Sequence, residues 1–420
     1  MSLKPTPGGW FFHPYEIGIA GFSGAGKTTL AEKVLALLSA DGIECGYVKR
    51  DAHFFEMDRE GKDTWRAARA GAGAVTIDDR THSALLAEHG PLGPQLSLVR
   101  QVMAPFGAVF VEGRKHLPIP KLLLLDPRDE ADEKLGRGEL SEVLAIVHPE
   151  GERERALRFQ AAYPDASVVS RTDVDAILEV IRRSWRSRRP RLKGLVLAGG
   201  RSTRMGGDKA AIEYVPGISQ ARRSADLLAS CCDEVYLSTR GGQRLPDDVA
   251  TLPVIEDRHM ELGPVGGILS AFDVEASTAW FVLSCDLPLL GAGDVAQLAA
   301  ERNPQKLATC FGTPPDAPQG HIRADSSAES TNTGEIERLM PEPLAAIYEP
   351  NARTRILTFL VDGASCPRWI LRNGGAAIVE PERFDALFNA NDRDDYERAR
   401  ALLAESAGVR TTGEDRRLRT

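Results

Sequence analysis

Several signals are missing from this sequence, and each absence removes a class of protein. The six cysteines, Cys45, Cys231, Cys232, Cys285, Cys310 and Cys366, include no Cys-x-x-Cys pair and have no histidine at metal-ligand spacing. That pattern predicts free thiols in a reducing compartment, with no disulfide frame and no zinc site. No apolar run approaches the roughly 20 residues that a bilayer-spanning helix needs. Residues 1–15 lack the basic start and apolar stretch of a secretory signal. Positive charge is not in excess either: Lys and Arg are outnumbered 52 to 60, for a formal net charge of -8. A broad basic face of the kind that neutralises a nucleic-acid backbone is therefore not expected, and any anionic ligand must be met locally. The expectation is a cytoplasmic protein with neither nucleic acid nor membrane as partner.

What is present is the composition of a soluble globular protein, 42% hydrophobic and 27% charged. At 420 residues the chain exceeds one ordinary core, and about 150 residues per domain predicts two or three domains, with two as the working count. Residues 15–20 read as a buried strand. Residues 27–40 read as a helix with Leu30, Val34, Leu37 and Leu38 on one face. Further strands are expected at 43–48, 75–78, 108–111, 122–125 and 143–147, and a helix from 173 to about 185. Such alternation predicts a mostly parallel sheet covered on both faces. The run Arg182-Arg183-Ser184-Trp185-Arg186-Ser187-Arg188-Arg189-Pro190-Arg191 is the sharpest shift in composition, and it reads as a solvated helix end with a linker. Beyond it the pattern restarts, with strands at 192–197, 234–238, 253–256 and 279–284 and helices near 220–230 and 263–272. The predicted domains are 1–187 and 192–405, joined by a basic linker at 188–191. Residues 312–338 read as a long loop or insertion, and 406–420 as a flexible tail.

Glycine is concentrated in two loops of different design. The first, Gly21-Phe22-Ser23-Gly24-Ala25-Gly26-Lys27-Thr28, has P-loop spacing and sits between a predicted strand and a predicted helix. In such a loop backbone N-H groups and the helix N-terminus wrap phosphates, the lysine neutralises charge and the threonine hydroxyl serves magnesium. Gly21, Gly24, Gly26, Lys27, Thr28 and Thr29 are the candidate nucleotide-binding residues. An acid at the end of a neighbouring strand is also needed, and 108–113 supplies Glu112; Thr28 and Glu112 are thus the candidate metal ligands. This loop, together with Val48-Lys49, His53, Asp58, Gly61-Lys62-Asp63-Thr64, Ala70-Gly71-Ala72 and Val111-Glu112-Gly113-Arg114-Lys115-His116, resembles the molybdopterin-guanine dinucleotide biosynthesis adaptor family over about 15–185. The resemblance implies a GTP-binding adaptor with weak hydrolysis. His53 and Lys49 read equally as phosphate contacts or as a structural polar pair.

The second loop is Leu197-Ala198-Gly199-Gly200-Arg201-Ser202-Thr203-Arg204-Met205-Gly206-Gly207-Asp208-Lys209. Its glycines let backbone approach a base and phosphates, while Arg204 and Lys209 bring the two positive charges that a triphosphate demands. The reaction expected is in-line attack on an α-phosphorus, with Mg2+ required. The run Trp280-Phe281-Val282-Leu283-Ser284-Cys285-Asp286-Leu287-Pro288 is a buried strand ending in an acid, so Asp286 is the candidate metal ligand, and Arg204, Lys209 and Asp286 are the candidate catalytic residues. Cys285 reads as a buried thiol, not a nucleophile. Gly263 to Gly267 either open a helix toward a phosphate or permit close packing. Asn391 reads either as a metal or substrate contact or as a helix cap region.

These motifs, with Val254-Ile255-Glu256-Asp257, Gly263-Pro264-Val265-Gly266-Gly267, Pro343-Leu344-Ala345-Ala346-Ile347-Tyr348 and Phe388-Asn389-Ala390-Asn391, resemble the molybdenum cofactor guanylyltransferase family over about 192–404. By that resemblance Leu197, Ala198, Gly199, Lys209, Asp257 and Asp286 bind GTP and Asp286 also binds magnesium, and Gly200 of the same loop is a further candidate nucleotide-binding residue. The acceptor would be molybdopterin, with molybdoenzymes or cofactor-insertion proteins as further partners and a homo-oligomer left open. The fold class expected is α/β: two tandem doubly wound domains, an N-terminal P-loop NTPase fold and a C-terminal Rossmann-like nucleotidyltransferase fold of glycosyltransferase-A-like type. The alternatives are a cytidylyltransferase or sugar-phosphate nucleotidyltransferase with a fused P-loop domain, or a GTP-switched cofactor-binding carrier.

Overall fold

A computed structural model describes residues 10–50, 58–87, 96–126, 138–199, 208–314 and 339–414. Contacts divide the chain into two compact units, Met1–Arg188 and Arg189–Thr420. Among the described residues the first holds eight strands, β1 (Glu16–Ala20), β2 (Cys45–Lys49), β3 (Ala74–Asp78), β4 (Ser83–Ala87), β5 (Ala108–Glu112), β6 (Lys121–Leu124), β7 (Val143–His148) and β8 (Ser167–Ser170). Six of them make one sheet in the order β2-β5-β1-β6-β7-β8, with every neighbouring pair parallel. Within it β1, β5, β6 and β7, short runs rich in valine, isoleucine and leucine, are buried on both faces, as central strands of a parallel sheet require.

The helix Lys27–Ala40 follows β1 and buries Leu30, Ala31, Val34 and Leu38. Leu37, expected on that face, is 41% exposed; it lies at the rim of the arc those four residues share. The other departure is β3, expected in the parallel sheet. It pairs antiparallel with β4 alone. The cause is local: Asp79 Oδ1 accepts the backbone N-H groups of Thr81 and His82, both at 2.7 Å, and this Asx-type turn reverses the chain directly after β3.

The second unit contains β9 (Leu192–Leu197), β10 (Val235–Thr239), β11 (Val254–Glu256), β12 (Ala279–Ser284), β13 (Ala308–Thr313), β14 (Met340–Tyr348) and β15 (Ala377–Val379). The order is β11-β10-β9-β12-β14-β13-β15. The first four are parallel, whereas β14 runs antiparallel to both of its neighbours. Side chains alternate between two cores. Val196, Phe281 and Leu283 pack with helices Gln220–Ala229 and Ala292–Ala300, and Leu195, Trp280 and Val282 pack with Pro264–Val274 and Ala352–Val361. The proposed insertion falls in the connection between β13 and β14, whose ends pair at Thr313 and Met340; residues 315–338 lie outside the described residues. The last helix runs Arg393–Glu414, past the boundary expected for a flexible tail at 406. Residues 398–405, all alanine, leucine, arginine and glutamate, are strong helix formers.

One ion pair is wholly inside this unit. Arg302 Nε and Nη2 donate to Glu349 Oε1 and Oε2 at 2.6 and 2.9 Å, with side chains 4% and 1% exposed. Breaking such a pair strands a buried charge. Arg302→Met should destabilise the second unit by about 3–5 kcal/mol in urea unfolding, and adding Glu349→Leu should recover most of the loss.

Candidate functional site

In a parallel sheet the strand ends that face ligands are the carboxyl ends, and both glycine loops leave from there. In the first unit the chain turns through Gly21, Gly24 and Gly26, with φ of 148°, 81° and 84°, into the helix that begins at Lys27. Lys27 Nζ donates to the Phe22 carbonyl at 2.7 Å, closing the loop on itself. Burial lowers the Lys27 ammonium pKa, opposed by the nearby charge of Glu112. Thr28 and Thr29 are exposed in the first helical turn.

Glu112 ends β5, between β2 and β1, and is 6% exposed. Its Oε2 accepts the Thr28 hydroxyl at 3.2 Å and also the Tyr47 hydroxyl, and its Oε1 lies 3.9 Å from Lys49 Nζ. Thr28 and Glu112, far apart in sequence, are thus brought together. Their oxygens form the donor set a hard divalent cation takes. The next residue has to be glycine: Gly113 has φ 83°, and a Cβ there would lie 2.0 Å from the Arg50 carbonyl oxygen. Lys49 faces Glu112, whereas His53 lies outside the described residues.

In the second unit Leu197, Ala198 and Gly199 leave β9. Gly200 and Arg204 lie outside the described residues, which resume at Asp208. Gln243 ties the two ends of the loop together, its Nε2 donating to the Ala198 carbonyl at 2.8 Å and to Asp208 Oδ2 at 2.5 Å. Lys209 Nζ donates to the Ala390 carbonyl at 3.1 Å and to Asn391 Oδ1 at 2.9 Å, and lies 3.9 Å from Asp286 Oδ2. Asn389 Nδ2 donates to that same Asp286 oxygen at 3.3 Å. Asp286 Oδ1 is buried and, among the described residues, has no hydrogen-bond partner. A buried carboxylate oxygen left unpaired is costly, so it fits an oxygen-seeking cation. Beside it, burial and then the charge of Asp286 push the Cys285 thiol up, which leaves an inert sulfur.

Asp257 follows β11 on the same sheet edge, its N-H donating to the Thr239 carbonyl at 2.8 Å. Its Oδ1 accepts from His259 N at 3.0 Å and from Ser270 Oγ at 3.2 Å. A Cβ on Gly266 would lie 2.4 Å from the His259 carbonyl and 2.9 Å from both Asp257 oxygens. Close packing therefore accounts for that glycine, which lets the helix Pro264–Val274 seat against Asp257. Asn391 turns its side-chain oxygen to Lys209.

Four contributors escaped sequence reasoning. Tyr47 and Gln243 carry no motif. Asn389 is visible only as part of a resembling run. Glu342 on β14 is buried, held by Arg368 Nη2 at 3.2 Å and by Leu344 N at 3.0 Å. Burial raises its carboxyl pKa and the charge of Asp286 adds to that shift, so the two acids share one neighbourhood.

A P-loop-type unit followed by a nucleotidyltransferase-type unit is the class that this fold and these sites define. Residues 16–149 match the family described as molybdopterin guanine dinucleotide synthesis protein B, and residues 194–376 match the MobA-like NTP transferase domain. A molybdenum cofactor biosynthesis bifunctional protein of Synechocystis sp. is 32% identical over 205 residues, covering 49% of this chain and 52% of that protein, so the chain spans about half the length of this relative. A molybdopterin-guanine dinucleotide biosynthesis adapter protein of Haemophilus influenzae is 38% identical over 124 residues, 28% of this chain and 69% of the relative. A molybdenum cofactor guanylyltransferase of a Shewanella species is 23% identical over 219 residues, 51% of this chain and 98% of the relative. The chain belongs, through its first unit, to the molybdopterin guanine dinucleotide synthesis protein B family, and its second unit is a MobA-like NTP transferase domain.

Gly113→Ala should destabilise the first unit by about 2 kcal/mol or more, because a Cβ there meets rigid backbone and the φ is left-handed. The unfolding transition of the second unit should not move when both are followed in urea.

Proposed function

We propose that this protein is a guanylyltransferase fused to its GTP-binding adaptor. The second unit would transfer GMP from GTP to the terminal phosphate of molybdopterin, giving the guanine dinucleotide form and pyrophosphate. The observation that carries the reading is the pairing of Lys209 with Asp286, whose Oδ1 is buried and unpartnered among the described residues, at the edge where the glycine loop leaves β9. Relatives named as guanylyltransferases support the choice of base.

Chemically, an oxygen of the acceptor phosphate attacks the α-phosphorus in line. A P–O bond forms, the bond to the β-phosphate bridging oxygen breaks, and pyrophosphate leaves with the electron pair. No proton acceptor is needed, because the nucleophile is already anionic. Catalysis is positioning plus charge stabilisation. Lys209 and Arg204 neutralise the triphosphate, and Leu197, Ala198, Gly199 and Gly200 bring backbone to the nucleotide. Asp257 is a further nucleotide contact. Asp286 would hold Mg2+, which when bound supplies Lewis-acid charge neutralisation.

In the first unit, Gly21, Gly24, Gly26, Lys27, Thr28 and Thr29 would bind GTP, with Thr28 and Glu112 serving Mg2+. The segment 188–191 would keep the adaptor at high effective concentration near the transferase. Molybdoenzymes or cofactor-insertion proteins are the receiving partners in this scheme, and the setting is the cytoplasm. Among the described residues no helix is long and apolar enough to cross a membrane.

Pyrophosphate release measured with GTP, CTP, ATP and UTP in the presence of molybdopterin should show a GTP preference; a CTP preference overturns the choice of base. Lys209→Ala and Asp286→Ala should each lower transfer by about 100-fold or more while leaving GTP binding at the P-loop intact. Near-normal transfer in either variant overturns the site.

A further inference from the structure

Tyr47 has no place in any motif, yet it is built into the first unit's nucleotide edge. Strands β2 and β5 are parallel, with Tyr47 opposite Phe110 and Lys49 opposite Glu112. Residues two apart on a strand share a face, so Tyr47 and Lys49 both lie on the face of Glu112. A long aromatic side chain spans the diagonal between neighbouring strands. The Tyr47 hydroxyl donates to Glu112 Oε2, the oxygen that also accepts the Thr28 hydroxyl at 3.2 Å. Burial, then the hydrogen bond to Glu112, raises the phenol pKa.

A hydroxyl that ligates a cation does so through an oxygen lone pair and keeps its proton free to donate. The Thr28 hydroxyl can thus serve a cation only with its proton directed somewhere fixed; Glu112 Oε2 accepts it at 3.2 Å, and the Tyr47 hydroxyl lies within hydrogen-bond reach of the same hydroxyl. The orientation of Glu112 depends in turn on what else holds it. Lys49 Nζ, at 3.9 Å and on a side chain 49% exposed, is a loose partner on the other oxygen. The Tyr47 hydroxyl is the short, part-buried contact. We propose that Tyr47 is a positioning residue of the first unit's cation site: it holds Glu112, and through it the Thr28 hydroxyl, in the orientation a divalent cation bound with a nucleoside triphosphate requires. The proposal rests on the P-loop reading above.

The test compares GTP affinity with Mg2+ and without it, by calorimetry on the full chain. Lys209→Ala and Asp286→Ala are carried in both arms so that the second unit contributes equally. Tyr47→Phe keeps the ring and removes only the hydroxyl, and unfolding without ligand verifies the fold. Losing a partner behind a metal ligand weakens metal-dependent binding by about 10-fold or more. The Mg2+ enhancement of GTP affinity should fall by about that factor, while metal-free GTP affinity stays the same. An equal loss in both conditions marks Tyr47 as merely structural and overturns the proposal, as does no loss in either. If the protein with Tyr47 intact binds no GTP, or binds it without regard to Mg2+, the P-loop reading itself fails, which is a separate result.

Discussion

Both units depend on a carboxylate set at the carboxyl end of a central parallel strand and faced by lysine. In the first, Glu112 ends β5 with Lys49 at 3.9 Å; in the second, Asp286 follows β12 with Lys209 at 3.9 Å. A negative charge in such a partly dry position is stable only if hydrogen bonds and counter-charge answer it. Each glycine loop provides part of that answer: Thr28 donates to Glu112, and Lys209 approaches Asp286. The loop geometry, the strand order and the polar neighbours all serve to bring those groups together.

The same constraint is met differently in the two units. Glu112 has partners at both oxygens, with two hydroxyls on Oε2 and a lysine near Oε1. Asp286 has Asn389 and Lys209 at Oδ2 and, among the described residues, no hydrogen-bond partner at Oδ1. A carboxylate already answered by hydroxyls and a lysine is held in one orientation, whereas an oxygen left unanswered is costly to bury. That difference, more than the two glycine patterns, distinguishes the two strand-end carboxylates. Glu342, buried near Asp286, adds negative charge on the reversed strand β14. Its carboxylate is held by Arg368 and the Leu344 N-H, which makes its burial tolerable.

Close packing around these groups also explains several small residues. Gly113 lets the end of β5 pass the Arg50 carbonyl, and Gly266 lets a helix settle onto Asp257. In each case a side chain would displace backbone next to an acid at the carboxyl edge of the sheet. Away from the sites, Arg302 and Glu349 place a fully paired charge inside the second unit.

Much of this was written locally. The strand–glycine loop–helix order of the first loop, the second loop's exit from β9, and Glu112 and Asp286 at strand ends are patterns within a dozen residues. Such patterns report on backbone conformation and on the face a side chain takes. The hairpin β3–β4 stands apart from the parallel sheet because an Asx turn, a local effect of Asp79, reverses the chain directly after β3. What only the tertiary structure decided are the pairings across long separations: Tyr47 with Glu112, Gln243 bridging Ala198 and Asp208, Asn389 and Glu342 beside Asp286, and Arg302 with Glu349. Those follow from the spatial order of strands and the reversal of β14. Hydrophobic periodicity is the same whichever strand lies alongside, so it cannot specify which polar side chains meet at the edge.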